Sequence, residues 1–177
     1  INSREVFRAK LSSKAIDGVA MNTQNTVVAA AAWETIALWS ISNNTLLDQY
    51  HIEKLIPRSI AVNADGDHIA VAEKKGVYIF NRIKKSEKPQ FIPFNEASQV
   101  KFAMFEQNEV LFISSLSPDE PTIMLNIKSY ERIRTFGGLL SGHLASLRSI
   151  DIDRAGKYLL TASMDKMVRL WSLKEGK

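Results

Sequence analysis

Cysteine is absent from the sequence. The chain therefore forms no disulfide, no thiolate zinc site and no cysteine nucleophile. Long apolar runs are absent too, since the longest, residues 26–33, has eight residues, whereas a membrane-spanning helix needs about 20. The first residues also lack the charged and then apolar pattern of a signal peptide. We expect no membrane span, and we expect an intracellular protein of the cytoplasm or the nucleus.

A strong excess of one charge is missing as well. Lysine and arginine number 23 against 19 aspartates and glutamates, which gives a net charge of +4 at pH 7. A charge this small allows nucleic-acid binding but does not indicate it. With 45% apolar and 24% charged residues in a chain of 177, the composition is that of one globular domain with a sizeable core. We expect a single domain over residues 1–177.

Most of the chain consists of short candidate strands. Runs of four to seven apolar or β-branched residues alternate with clusters of Gly, Asn, Asp, Ser and Pro, and helical spacing is scarce. Near the end of the chain, residues 150–152, 159–160 and 168–171 form three such runs joined by two short polar segments. This pattern is typical of an antiparallel meander. The sequence therefore predicts an all-β fold.

The meander recurs along the chain, which indicates a repeat architecture. Four first strands can be aligned on residues that lie 41, 42 and 48 positions apart, namely Met21, Val62, Met104 and Ile152. Seven positions after each of them the next strand begins, at Val28, Ile69, Leu111 and Leu159. Gly66 and Gly156 supply the positive φ of a tight turn in two of these connections. The repeat divides the chain into units of about 1–45, 46–86, 87–128 and 129–177.

The last unit carries the most specific motif. It holds Gly142 and His143 before its first strand, Asp165 in the turn before its third strand, and Trp171 at the end of that strand. These residues resemble the WD40-repeat family of β-propellers. The resemblance implies antiparallel four-stranded blades arranged around an axis. It predicts an all-β, WD40-type partial propeller of four such blades.

The number of units has a consequence for closure. Propellers of this family usually have about seven blades, so the resemblance implies that the chain is part of a longer protein. An open arc would expose apolar faces and strand edges, and we expect the rest of the propeller, or a second copy, to complete the ring. In the alternative, residues 4–11 form a strand that pairs with residues 167–173 and seals a four-bladed ring.

The resemblance also assigns a structural role to polar side chains of the last unit. In such units a histidine, a hydroxyl residue, an aspartate and a tryptophan form a hydrogen-bonded tetrad, here His143, Ser163, Asp165 and Trp171. Pairing buried polar groups with one another satisfies each of them and fixes strand register. A Ser, a His and an Asp could also form a hydrolytic triad, but no strained elbow or oxyanion loop accompanies them. We expect no enzyme activity.

A binding surface is predicted at the turns between the second and third strands. Because every blade has the same strand polarity, these turns lie on one rim. Trp33 occupies the turn position where the family places an aspartate. We expect this rim to meet a protein partner, with Trp33 at its centre and four further residues around it, Lys74, Lys75, Asp119 and Lys166. The alternative is that Trp33 only covers its own blade.

Other chemistry has little support in the sequence. His51, His68 and His143 fall in different units at no metal-ligand spacing, and no cofactor fingerprint is present. We therefore expect neither a metal site nor a cofactor. Residues 81–88 include four basic side chains that could meet phosphates. Because no aromatic residue is interleaved for base stacking, we interpret them as a solvated connection.

The sequence thus predicts a non-catalytic scaffold or adaptor that presents a rigid protein-binding surface within a multi-subunit assembly. Fold alone does not fix function, and two alternatives stay open. The chain could be the regulatory or sensor propeller of a larger enzyme or ATPase. It could also be an RNA-binding component of a ribonucleoprotein assembly.

Overall fold

The secondary structure of the described residues consists of β-strands alone. The computed structural model describes residues 5, 8–84, 88–138 and 142–176, and within these ranges it contains fifteen strands. Among the same residues there is no helix of the length and apolar character needed to cross a membrane. The predicted all-β fold is confirmed.

The strands form four antiparallel sheets, each a meander in chain order. Sheet 1 consists of β1 Ile16–Met21, β2 Val27–Ala32, β3 Thr35–Ser40 and β4 Leu46–His51. Sheet 2 consists of β5 Ser59–Val62, β6 His68–Glu73, β7 Gly76–Asn81 and β8 Gln90–Pro93. Sheet 3 consists of β9 Ala97–Phe105, β10 Asn108–Ser115, β11 Thr122–Asn126 and β12 Arg132–Phe136. Sheet 4 has three strands among the described residues, β13 Leu147–Ile152, β14 Tyr158–Ser163 and β15 Val168–Ser172.

The first hairpin of three sheets follows the predicted repeat. Each of three aligned residues pairs with the residue seven positions later: Met21 with Val28, Val62 with Ile69, and Ile152 with Leu159. Sheet 3 differs, because Leu111 pairs with Phe102 and the chain turns at Glu106 and Gln107, both with positive φ. Two such residues form the tight hairpin turn whose twist matches the paired strands, so this connection is shorter than the other three.

The sheets are displaced from the predicted units. The sheets span residues 16–51, 59–93, 97–136 and 147–172. The predicted boundaries at residues 45, 86 and 128 therefore separate each fourth strand from the third strand to which it is hydrogen-bonded. The repeat was aligned on first strands, and the half-exposed fourth strands add little apolar signal.

Apolar cores fill the spaces between neighbouring sheets. Each core takes alternate residues from two facing sheets, because successive side chains of a strand point to opposite faces. Large, fully buried members are Ile36, Leu38 and Ile69 between sheets 1 and 2, Leu111, Ile113 and Ile123 between sheets 2 and 3, and Phe112, Met124 and Leu159 between sheets 3 and 4. The sheets thus pack face to face as successive propeller blades.

The four blades form an arc and do not close into a ring. Their inner strands are neighbours in the order β1, β5, β9 and β13, and no pairing joins sheet 4 to sheet 1 among the described residues. The predicted partial propeller is therefore confirmed, with three described strands in the last blade in place of four.

The described part of the N-terminal segment does not form the strand of the alternative in which residues 4–11 seal a four-bladed ring. Residues 4, 6 and 7 lie outside the described residues, and residue 5 and residues 8–11 form no strand. Leu11 instead packs against Trp39 of sheet 1. Covering the indole removes apolar surface from water, which is the physical reason for this position. The described part of the segment thus lies on sheet 1 and does not pair with β15.

Turns of the same kind lie on the same side of the arc. We call the upper rim the turns between second and third strands, residues 33–34, 74–75, 116–121 and 164–167, together with the connections between sheets. Backbone hydrogen bonds tie these segments together, for example from the Ile52 amide to the Glu34 carbonyl at 3.0 Å and from the Met164 amide to the Ser146 carbonyl at 3.0 Å. The remaining turns form the lower rim.

Candidate functional site

The polar network of sheet 4 is centred on a buried imidazole. His143 Nδ1 lies 2.8 Å from Asp165 Oδ2, and its Nε2 lies 2.8 Å from Thr161 Oγ1. The Trp171 indole N–H donates to the same Thr161 oxygen at 2.8 Å. The network therefore links the connection before β13 to β14, to the turn after β14 and to β15.

The hydroxyl of this network belongs to Thr161, and the prediction of Ser163 in that role is wrong. Ser163 Oγ donates to the Ala145 carbonyl at 2.9 Å and accepts the Asp165 amide at 3.1 Å. Both hydroxyls lie on the same face of β14, two residues apart. Thr161 sits in the middle of the strand beneath the imidazole, whereas Ser163 ends the strand and closes the turn.

The carboxylate of Asp165 is stabilised in its charged form. Burial by itself would raise its pKa. The Met167 amide, the His143 ring and the Leu144 amide all bond to the carboxylate oxygens, and together they hold the pKa of Asp165 well below its usual range. Asp165 thus anchors the turn and the preceding connection at once.

This arrangement is unsuited to nucleophilic catalysis. A nucleophile needs an exposed oxygen that a substrate can reach and a base beside it. The hydroxyl beside His143 is that of Thr161, which is 2% exposed and is already bonded to the Trp171 indole. Ser163 is bonded to backbone groups and makes no bond to the imidazole. The geometry is that of a structural network.

The last part of the chain matches a model of a known protein family. Residues 131–172 match the family model described as WD domain, G-beta repeat. The last repeat of the chain is a WD40 repeat. The matched range contains β12 to β15 and all four residues of the network. A search of curated proteins finds no significant match to the chain. WD40 domains in general mediate protein–protein interactions and are non-catalytic.

The lower rim has a repeated turn that the sequence interpretation missed. In three sheets an Asn or Asp follows the first strand, and its Oδ1 accepts the amides four and five residues later: Asn22, Asn63 and Asp153. Asn22 also donates to the Ala64 carbonyl of the next sheet at 2.8 Å. The recurrence of Asn or Asp directly after the aligned residues was the available signal. These side chains fix the first hairpins and join sheets 1 and 2.

The five predicted rim residues all lie on upper-rim turns and are exposed: Trp33, Lys74, Lys75, Asp119 and Lys166. They come from four different sheets, so they are distributed along the arc and do not form one compact cluster. Lys74 is engaged locally, since its Nζ lies 3.3 Å from Glu96 Oε1. Glu96 also pairs with Arg58 at 2.9 Å. Trp33 is 45% exposed, which leaves half of the indole available for contact.

Further exposed apolar residues on the upper rim were not predicted. Leu144 is 82% exposed, and Met164 and Met167 are 56% and 55% exposed. The backbone amides of Leu144 and Met167 both donate to Asp165, so the buried carboxylate gathers these residues around one point. Ile56 adds a fourth exposed apolar side chain in the connection between sheets 1 and 2. A single sequence does not show which apolar side chains are exposed, and these four could therefore not be predicted as surface residues.

A second polar cluster joins sheets 2 and 3. His68 Nδ1 lies 3.2 Å from Asp67 Oδ1 and 3.3 Å from Glu109 Oε2. The Asn63 side-chain amide also donates to both carboxylates. The hydrogen bond with Glu109 raises the pKa of His68, burial opposes this, and the charge of Asp67 adds to the rise. Sequence reasoning missed the cluster because Glu109 belongs to a different sheet.

Asp67, His68 and Glu109 lie close enough together to hold a metal ion. The surroundings of the second ring nitrogen of His68 do not fit a metal-bound histidine. A metal-bound histidine normally donates its other N–H to an acceptor. His68 Nε2 instead faces the Asn81 amide nitrogen at 3.1 Å. The oxygen of that amide is occupied by the amides of Ile83 and Lys84 at 3.0 and 3.1 Å, which fixes its orientation. The proton of neutral His68 therefore sits on Nδ1 between the carboxylates, and the cluster becomes an ion pair only when the ring gains a second proton.

The basic segment on the lower rim is partly engaged within the protein. Arg82 donates to the Gly66 carbonyl at 3.0 Å and approaches Asp48 at 3.4 Å. Lys85 lies outside the described residues. Arg82 thus serves the packing of sheets 1 and 2, and the solvated connection expected over residues 81–88 stays a prediction.

Acid should weaken sheet 4 through Asp165. A carboxylate with a depressed pKa stabilises the folded state above its unfolded pKa of about 4, and the gain is lost as the pH falls through the folded value. We expect the difference in melting temperature between the wild type and Asp165→Asn to be largest near neutral pH and to shrink steadily below about pH 4. Thermal melts of both proteins from neutral to acidic pH measure this. A difference that stays constant over the whole range would contradict the assignment.

Proposed function

We propose that this chain is a non-catalytic scaffold that presents its upper rim to a protein partner within a larger intracellular assembly, in the cytoplasm or the nucleus. The observation that carries the proposal is a group of three exposed apolar side chains around Asp165 on that rim, Leu144, Met164 and Met167. Trp33 and Ile56 are exposed farther along the same rim. Exposed apolar groups that lie together mark interaction surfaces on folded proteins. Trp and Met are also enriched at interface cores.

The chemistry around these apolar groups supports a protein partner. Lys75, Asp119 and Lys166 are exposed on the same rim, and a polar rim around aromatic or aliphatic anchors is the usual anatomy of a protein interface. The rim is built on paired strands whose turns are fixed by hydrogen bonds, as at Asp165. A surface held in this way loses little conformational entropy when a partner binds.

A second contact is expected at the free face of sheet 4. The same cross-strand pair recurs in every sheet: Ala29 and Leu38, Ala70 and Ile79, Phe112 and Met124, and Leu160 and Leu170. In sheets 1 to 3 this pair is at most 2% exposed, because it packs against the next sheet. In sheet 4 the two leucines are 42% and 62% exposed.

The occupant that fits this face is another β-sheet. Val168 and Tyr158 extend the apolar surface and are 63% and 46% exposed. In the other three sheets the matching face is covered by a sheet of the same repeat, so the cover is expected from the remaining blades of the propeller or from a second copy. This contact would join the chain to the rest of its assembly.

The sequence leaves two other functions open. A regulatory or sensor propeller of a larger enzyme or ATPase would use the same rim, and only the identity of the partner would differ. RNA binding would rely on the segment at residues 81–88, where Arg82 is engaged with Asp48 and Gly66. A steep fall of RNA affinity with salt would favour RNA binding.

The rim can be tested by site-specific photo-crosslinking. A benzoylphenylalanine at position 33 should give a discrete adduct with a protein of the source cells, because the indole of Trp33 is half exposed on the upper rim. The same group at position 128, exposed on the lower rim, is the matched control. Equal labelling from both positions, or none from position 33, would contradict the proposed surface.

Once the adduct is identified, Trp33→Ala should weaken binding of that protein by at least about 2 kcal/mol. The melting temperature should change little, since the indole is not part of a buried core. Isothermal titration and thermal melts measure the two effects. Loss of stability with unchanged affinity per folded molecule would show that Trp33 only covers its own blade.

A further inference from the structure

The cluster around His68 joins three parts of the fold. The ring lies at the start of β6, with Asp67 beside it in the preceding turn and Glu109 opposite it on β10 of sheet 3. On its other edge the ring meets Asn81, the last residue of β7. Asp67 and Glu109 are the ionisable groups that act on the ring. Arg82, in the same region, is directed to Asp48 and to the Gly66 carbonyl.

The two edges of the ring have opposite requirements. On the Nδ1 edge two carboxylates lie 3.2 and 3.3 Å away and can only accept. The Asn63 amide nitrogen is also 3.4 Å from Nδ1, but its two hydrogens are donated to these carboxylates, so the favourable partner for them on the ring is an N–H. On the Nε2 edge the Asn81 amide nitrogen lies 3.1 Å away and can only donate. This edge therefore requires an unprotonated nitrogen. Neutral His68 with its proton on Nδ1 satisfies both edges.

Asn81 cannot change its role without a cost. Its side-chain oxygen accepts the backbone amides of Ile83 and Lys84 at 3.0 and 3.1 Å, and it thereby holds the start of the connection between β7 and β8. Turning the amide over to offer its oxygen to the ring would remove both bonds. A proton added to Nε2 brings two donors face to face, which Asn81 can avoid only by leaving this position.

We propose that His68 is a proton-operated link in which a proton on Nε2 releases Asn81 and frees the start of the β7–β8 connection, while Nδ1 keeps sheets 2 and 3 together. The carboxylates of Asp67 and Glu109 favour the protonated ring, and the Asn81 amide favours the neutral one. The ion pair between the sheets is complete at low pH and is lost as the pH rises through the titration of His68. The start of the β7–β8 connection has the opposite pH dependence, because Asn81 holds it only while Nε2 is unprotonated, at high pH.

The freed segment is the basic stretch of the lower rim. Its start, held by Asn81, contains Arg82 and Lys84. Release of Asn81 therefore changes how the first of these residues are displayed without opening the contact between the sheets. The link depends on neither the upper rim nor any partner, so it stands or fails independently of the proposed scaffold function.

Hydrogen–deuterium exchange of the 177-residue chain, resolved to single amides by mass spectrometry, tests the link. Exchange at His C2–H in the same samples reports the protonation of His68. We expect the protection factors of the Ile83 and Lys84 amides to fall by about tenfold as His68 gains its proton, as loss of one or two exposed hydrogen bonds would give. Constant protection through the titration of His68 would overturn the proposal.

Two variants separate the link from general acid effects. In Asn81→Asp the carboxylate accepts the two backbone amides and also an Nε2–H, so the protection of Ile83 and Lys84 should become independent of pH in this range. His68→Gln should remove the transition, whereas replacement of the exposed His51 by Asn should leave it unchanged. A transition that persists in His68→Gln, or in Asn81→Asp, would show that another group controls the segment.

Discussion

Replacing Trp171 by alanine should lower the free energy of unfolding by about 3–5 kcal/mol, since the change removes a large buried side chain and leaves a cavity. The indole packs in the core between sheets 3 and 4 and is 7% exposed. Its N–H also donates to Thr161, so the change leaves that hydroxyl with one partner fewer. Chemical denaturation of both proteins measures the loss.

The polar share of this effect can be separated by a pair of milder changes. Thr161→Val keeps the shape but removes the oxygen that joins His143 and Trp171, and it should cost about 1–3 kcal/mol because two buried groups lose their partner. Ser163→Ala is the matched control two residues away. We expect it to cost less, about 1 kcal/mol, since the Ser163 hydroxyl bonds to two backbone groups, the Ala145 carbonyl and the Asp165 amide, and joins no other side chain of the network. A larger loss in Ser163→Ala than in Thr161→Val would contradict the assignment of Thr161.

Gly156→Ala should be nearly as damaging, although it adds only one methyl group. Gly156 has a φ of +63° in the first turn of sheet 4, a conformation that costs other residues about 1–2 kcal/mol. A Cβ at this position would also collide with the carbonyl oxygen of Met104 in sheet 3, and relief requires a backbone shift that costs about 1–3 kcal/mol. We expect a total loss of about 2–5 kcal/mol, measured by denaturation.

Gly66→Ala is the matched control in the equivalent turn of sheet 2. Its φ of +77° carries a similar backbone cost, but the atom nearest to an added Cβ belongs to the Val27 side chain, which can rotate. The loss should therefore be smaller than at Gly156. Equal losses would show that the turn conformation alone matters and that the contact of sheet 4 with Met104 does not.

The repeat could be predicted because each first hairpin places apolar residues at a fixed separation. The pairings of Met21 with Val28 and of Ile152 with Leu159 are a direct consequence of that spacing. The fourth strands were harder to place, since an outer strand such as β4 is largely exposed and needs few apolar residues. The boundaries of the sheets therefore differ from the units drawn from the sequence.

The network of sheet 4 could be predicted only as a set of residue types. Thr161 and Ser163 point to the same face of β14, and both offer a hydroxyl. The choice between them depends on the height of the imidazole over the strand, which is set by the connection that carries His143. The course of that connection cannot be predicted from the spacing of apolar residues, which indicates only the strands.

Contacts between sheets could not be predicted from one sequence. His68 and Glu109 approach each other because sheets 2 and 3 pack face to face, and neither residue lies in a recognisable motif. The exposure of Leu144 is likewise a property of the folded chain. Local pattern therefore determines the strands, whereas packing determines which side chains meet and which remain outside.

The free face of sheet 4 offers the most direct test of an open propeller. Size-exclusion chromatography with light scattering, together with binding of a hydrophobic dye, should show that the purified 177-residue chain self-associates or binds the dye through Leu160 and Leu170. Leu170→Asp should reduce both effects, whereas Ile133→Asp, at an exposed position of β12, should not. A wild-type chain that is a dye-free monomer would contradict the open arc and its free apolar face.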